Sequence, residues 1–188
     1  MEINIADILR PENDIEVAVA CDPEFKEGCL YGKPRPGHPE GKVVFHVRDV
    51  LDNIERWFEY DEKRANLRLI AFLHDTFKFK VDETKPRDGT NHHGYIARKF
   101  AEGHVKDLKV LEVIELHDKA YSIWCAGRKK GWDAAAGNAN MLIRRLDCTN
   151  GLDLYLEFYK CDSATEGKTR EHFDWFSRIA AEMKRAVQ

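Results

Sequence analysis

The sequence predicts an all-α protein, a helical bundle gathered around one polar centre. Three observations carry that prediction. Apolar residues recur at helical rather than alternating spacing in separate stretches along the chain. Five predicted helices each bring a histidine or an aspartate to their apolar side. The 188 residues are 43% hydrophobic and show no internal repeat, which suits one sizeable core and a single domain spanning 1–188. Within it, 42–150 forms the core, 1–41 an N-terminal loop region and 151–188 a C-terminal helical extension.

In chain order, residues 3–10 suit a short amphipathic turn with Ile5, Ile8 and Leu9 inward, ended by Pro11. Residues 12–22 form a further helix with Ile15, Ala18 and Val19 clustered. The stretch 22–41 holds four of the six prolines and reads as a long loop, placed to wall the site beside His46. A long helix follows over 42–60, with Val47, Val50, Leu51, Ile54, Trp57 and Phe58 as its core stripe. The central helix spans 64–78, and 79–91 is a polar loop whose Thr90 or Asn91 caps the next helix. That helix ends near Gly103, and 105–126 forms one more, followed by a basic turn over Gly127–Trp132. Residues 134–150 are helical. Residues 151–160 match strand and helix periods alike, and the all-α context tips them to helix. Residues 168–186 close the chain with Phe173, Phe176, Ala180, Met183 and Val187 on one stripe.

The polar residues on these apolar faces are His46, the adjacent pair His74-Asp75, His93, His117 and Asp147. Singly, each reads as a satisfied core residue, because an unpaired buried imidazole or carboxylate costs several kcal/mol. Together they read as ligands of a shared ion. Lys78 lies one turn beyond His74, either within reach of a phosphate at such an ion or simply solvated. Arg144 and Arg145 beside Asp147 are candidates for phosphate binding, with solvent exposure as the alternative. His104 and His172 fit no part of the pattern and are expected at the surface.

The order His, His-Asp, His, His, Asp resembles the HD superfamily of metal-dependent phosphohydrolases, with Lys78 completing a His-Asp-x-x-Lys motif. The segment Pro36-Gly37-His38-Pro39-Glu40-Gly41 and the His92-His93-Gly94 start of a helix are similar to the HD domain attached to bacterial tRNA nucleotidyltransferases. The resemblance covers roughly residues 30–150. It implies phosphomonoesterase, 2′-nucleotidase or 2′,3′-cyclic phosphodiesterase activity, with His38 and Glu40 lining the pocket or positioning a leaving group; the alternative for both is a turn stabilised by Pro39 and Gly41. No nucleotidyltransferase segment accompanies it here, so a free nucleotide or another small phosphate is the expected substrate, with an RNA end as a further partner.

Imidazoles and carboxylates suit Mn, Fe, Co, Ni or Zn better than Ca, and the lack of nearby thiolates argues against a structural zinc site. His46, His74, Asp75 and Asp147 would hold one ion. His93 and His117 either complete a second, with Asp75 bridging, or donate to the phosphate; the resemblance favours the single ion. Two other readings share the ligand order: a mixed-valent diiron oxygenase, and a non-catalytic nucleotide-binding module. The net charge of −3 gives no general attraction to nucleic acid. Five cysteines without CxxC spacing read as reduced thiols, and no apolar run reaches the ~20 residues of a membrane span. A cytoplasmic protein is expected.

Overall fold

The computed structural model describes residues 3–34 and 41–187. Among them the chain forms eleven α-helices and two single 3-10 turns, with no strand, as the periodicity predicts. The helices are α1 (Ile5–Leu9), α2 (Asp14–Cys21), α3 (Pro23–Cys29), α4 (Val43–Trp57), α5 (Glu62–Leu73), α6 (His93–Ala101), α7 (Leu108–Leu116), α8 (Lys119–Lys130), α9 (Trp132–Asp147), α10 (Leu152–Ser163) and α11 (Glu171–Val187).

The core grows from α4 and α5, which pack on one another, with α10 laid against both. On α4 the residues Val44, Val47, Val50, Leu51 and Ile54 are buried. Each contributes about 1.5–3 kcal/mol relative to exposure, so the stripe stabilises far more than seating one imidazole, His46, on its edge opposes. Trp57, expected on that stripe, is instead exposed, because the helix ends there; the Lys160 ammonium lies 4.9 Å from its ring centroid. On α5 the run Leu67 to Leu73 is buried throughout, Arg68 included.

Arg68 ties the N-terminal helices to this core. Its guanidinium is fully buried and bonds Glu16 at 2.9 Å, Glu55 at 2.5 Å and the Arg10 carbonyl at 2.8 Å. This overturns the expected inward face of α2. Ile15 and Ala18 point to solvent, and Glu16, Val19 and Ala20 point in, because the buried arginine needs a carboxylate more than the core needs another isoleucine.

The expected loop over 22–41 contains α3. Asp22 caps it through Glu24 N–H and Phe25 N–H, and Pro23 occupies its first turn. The regular part of α5 stops at Leu73 rather than continuing to residue 78. His74 to Phe77 form turns in which the Thr76 hydroxyl donates to the Phe72 carbonyl, and Lys78 opens a 3-10 turn, Lys78–Lys80. The helix expected over 105–126 is two helices, broken at His117-Asp118. The buried Tyr155 hydroxyl of α10 accepts from Ala120 N–H at 3.1 Å and donates to the His117 carbonyl at 3.3 Å. A partner 35 residues or more away thus satisfies the polar groups that the break exposes. The basic turn expected at Gly127–Trp132 is mostly helical, with only Gly131 separating α8 from α9. His92, rather than Asn91 or Thr90, caps α6. Residues 152–163 are helical. Phe176 and Ala180 on α11 are buried, with Phe173 and Met183 packed against the core.

Removing Arg68 strands the Glu16 carboxylate in the interior. Arg68→Ala should therefore lower stability by about 3–5 kcal/mol, read as a shift in the denaturant midpoint. A change below about 1 kcal/mol would show that the buried pair does not anchor the N-terminal helices.

Candidate metal centre

The side chains of His46, His74, Asp75, His93 and His117 come together as two groups that share Asp75. Two close approaches bring this about. α3 presses on the turn after α5 at Gly28, where a Cβ would lie 1.9 Å from the Thr76 carbonyl oxygen. α6 meets α7 at Gly94, where a Cβ would lie 2.3 Å from the Glu115 carbonyl oxygen. Only glycine permits either contact. The second sets His93 against His117, Nε2 to Nε2 at 3.1 Å.

Asp75 is buried at the middle. Its Oδ2 faces one pair of imidazoles, 3.8 Å from His46 Nε2 and 3.7 Å from His74 Nε2. Its Oδ1 faces the other, 3.5 Å from His93 Nε2 and 3.4 Å from His117 Nε2. The Lys78 ammonium also bonds Oδ2. Burial alone would raise the Asp75 carboxyl, but the Lys78 ammonium, His74 and bonds from His117 and His93 outweigh it and hold it well below the usual carboxylate range.

The imidazoles are poised as ligands. His74 Nδ1 lies 2.9 Å from the Ala71 carbonyl and His117 Nδ1 2.9 Å from the Ile114 carbonyl. A carbonyl only accepts, so in the neutral ring the proton sits on Nδ1 and the Nε2 lone pair points inward. Burial lowers His74 to about 3 and His93 to about 4, which leaves both uncharged at neutral pH. Burial would lower His117 as well, but its bond to Asp75 and the charge of Asp118 outweigh that and raise it. The His74 lone pair thus faces Asp75 Oδ2, and the two repel unless a cation lies between them. His46 and His74 on one side of Asp75, and His93 and His117 on the other, each form with it a group that fits a metal ion.

Not every expected residue is brought here. Asp147 is the last residue of α9 and is exposed. The helix turns Ala139, Leu142, Ile143 and Leu146 inward and ends, leaving the aspartate at its solvent edge. Asp162 of α10 stands where a fourth ligand beside His46 was expected, 3.1 Å from His46 Nε2 and 2.6 Å from Lys168 Nζ. Its signal was present: Tyr155, Tyr159 and Asp162 share a face at i, i+4, i+7 once 152–163 is read as a helix. Asn53 Nδ2 bonds the Cys161 carbonyl at 3.0 Å and so anchors the end of α10 to α4.

Arg144 is exposed, and Arg145 bonds Glu112 and Glu115 as part of a surface network with Arg98. Neither faces the centre. His172, expected at the surface, is buried, with its Nδ1 2.6 Å from the Tyr159 hydroxyl. His104 is half-buried and its ring packs on Phe100. His38 and Glu40 lie outside the described residues.

The HD domain family model matches residues 43–148, more than half of the chain. The chain belongs to the HD domain family. No curated protein and no solved structure matches it. HD domains are generally metal-dependent hydrolases, and the matched range includes His46, His74, Asp75, His93 and His117. The match begins after the His38-Pro39-Glu40-Gly41 segment and ends before Asp162.

Two clefts open from the HD centre and share Asp75 and Lys78. One, of about 590 Å³, is lined by Leu30–Pro34, Gly41–Val43 and His46, so both described flanks of 35–40 wall the site. The other, of about 700 Å³, passes His93, His117 and Asp118 to Tyr121, Trp124, Arg128, Lys168 and His172.

Two outcomes test the ligand set. Asp162→Ala and His74→Ala should each reduce bound manganese or cobalt, counted per chain by elemental analysis, whereas Asp147→Ala should leave the count unchanged. A loss on Asp147→Ala would restore that residue as a ligand. The metal-free protein should also lose stability as pH falls. His74 and His93 titrate near 6.5 when unfolded but at about 3 and about 4 when folded, so below 6.5 the unfolded chain binds more protons. The raised His117 opposes part of this slope. The midpoint of thermal unfolding should therefore drop between 6.5 and 4, and an unchanged midpoint would contradict the burial of these rings.

Proposed function

We propose that the chain is a metal-dependent phosphohydrolase acting on a nucleotide or another small phosphoester. The observation that supports this best is one carboxylate, Asp75, held between two imidazole pairs at the floor of a cation-lined cleft. When bound there, divalent transition-metal ions supply Lewis-acid polarisation of a phosphoryl oxygen and make a nucleophile available at neutral pH.

Asp75 offers a separate oxygen to each imidazole pair, which favours two bridged ions over the single ion that the resemblance implies. His46, His74 and Asp162 would complete one side, and His93 and His117 the other. Lys78, 28% exposed and on Oδ2, can follow charge from the carboxylate to an arriving phosphate oxygen. Lys168 stands on Asp162 in the same relation. Arg128 has no ion pair among the described residues; its guanidinium lies 5.0 Å from the Trp124 ring centroid at the cleft wall. These cations and aromatic faces suit a phosphate joined to a flat or sugar-like body, in keeping with nucleotidase or cyclic phosphodiesterase substrates.

The bridged arrangement is also what a diiron oxygenase would use, and the basic lining favours hydrolysis. Protein loaded with manganese, cobalt or nickel should release phosphate from nucleoside monophosphates or open 2′,3′-cyclic phosphates, and a chelator should abolish this. Lys78→Ala should lower kcat by roughly a hundredfold with metal content intact, while Arg145→Ala should leave kcat unchanged. Failure to hydrolyse any phosphoester with any first-row metal, joined to an iron-loaded form with a mixed-valent EPR signal, would transfer the reading to the oxygenase.

A further inference from the structure

Asp118 stands where α7 gives way to α8, at the N-cap position of α8. An aspartate there ordinarily accepts from amides of its own helix's first turn, which contributes about 1 kcal/mol. Asp118 makes no such bond. Its carboxylate turns instead to the start of α6, with Oδ2 3.1 Å from His92 Nε2.

His92 is itself fixed. Its Nδ1 accepts from Gly94 N–H at 3.1 Å, so the neutral ring carries its proton on Nε2 and donates it to Asp118. Although His92, His93 and Asp118 are close enough together to suggest a third cation site, His92 has no lone pair left for one. It is a clamp on the carboxylate.

The two oxygens of Asp118 differ. Oδ1 is buried and meets no donor among the described residues. The side chain as a whole is 27% exposed, so its accessible part is the Oδ2 side, which lines the cleft. A carboxylate has about four acceptor positions, and among the described residues one hydrogen bond, from His92, fills one of them. With Oδ1 closed off, any further donor must reach this charge through Oδ2. A helix cap forgone and a carboxylate left short of donors, at one residue, mark a functional position rather than a packing solution.

Its place in the cleft narrows the donor. Oδ2 lies 3.9 Å from His93 Nε2, beside the Asp75-centred residues rather than among them. Tyr121 and Ser122, at i+3 and i+4 on α8, continue the same wall outward. That wall flanks the alcohol part of a phosphoester whose phosphorus lies over Asp75. We propose that Asp118, oriented by His92, is the specificity-determining acceptor for a hydroxyl group on the alcohol part of the substrate. A hydroxylated, sugar-like phosphoester satisfies Oδ2, and the deoxygenated counterpart leaves it short of a donor, the situation in which sites discriminate most strongly. The inference rests on the phosphohydrolase reading above.

The test uses manganese-loaded wild type, Asp118→Asn and His92→Gln. Each is assayed on ribonucleoside 3′- and 5′-monophosphates against their 2′-deoxy counterparts, and on glycerol 1-phosphate against propyl phosphate. Metal content is measured on the same samples. Wild type should favour the hydroxylated member of at least one pair by roughly ten- to a hundredfold in kcat/KM, the range for a hydrogen bond to a charged group. Asp118→Asn should bring that ratio to about one, and His92→Gln, which keeps an N–H donor for Oδ2, should fall between, all with unchanged metal content. A wild-type ratio near one in every pair overturns the inference, as does an equal fall on both members of a pair. Loss of a metal equivalent in Asp118→Asn also overturns it, by making the residue a ligand. Hydrolysis without hydroxyl discrimination removes this inference alone, whereas no hydrolysis of any phosphoester removes the phosphohydrolase reading with it.

Discussion

Everything in this structure depends on keeping one carboxylate, Asp75, ionised in the interior. Burying an isolated charge opposes folding by several kcal/mol even after relaxation. Four surrounding imidazoles relieve it only in part: His117 and His93 bond it, but burial keeps His74 and His93 uncharged. Lys78 provides one compensating cation from the same turn. The rest of the compensation is what a metal-binding HD domain supplies, and this is why ligand geometry and fold cannot be separated here.

The scaffold spends its least ordinary features on that geometry. Gly28 lets α3 touch the Thr76 carbonyl, holding the turn that presents His74 and Asp75. Gly94 lets α6 sit on the last turn of α7, so that His93 meets His117. The Tyr155 hydroxyl mends the break after His117, and Asn53 fixes the carbonyl next to Asp162. None of these contacts is local in sequence, and each acts on a residue that is, or directly neighbours, one of the convergent side chains.

How much was legible follows from the range of the forces involved. Helical type is written in local periodicity, so the helices that bear His46 and His93, and those that end at His74 and His117, were all visible, and the family order of these residues made them readable as a set. Helix ends were less so, because the break at His117-Asp118 depends on Tyr155 from α10 and the early end of α5 on a threonine turn. The exchange of Asp162 for Asp147 has the same origin. Both aspartates follow an apolar stripe, but Asn53 and His46 hold the end of α10 at the centre, whereas α9 packs on α7, α8, α10 and α11. Arg145 could be read as a phosphate ligand until Glu112 and Glu115, more than a helix away, were seen to hold it.

The central claim is that Asp75 divides its two oxygens between two metal positions. Anomalous diffraction from a crystal grown with excess manganese or cobalt tests it most directly. The account predicts two peaks about 4 Å apart, one between Asp75 Oδ2 and His46, His74 and Asp162, the other between Oδ1 and His93 and His117. A single peak with His93 and His117 unligated, or a peak at Asp147, would contradict it.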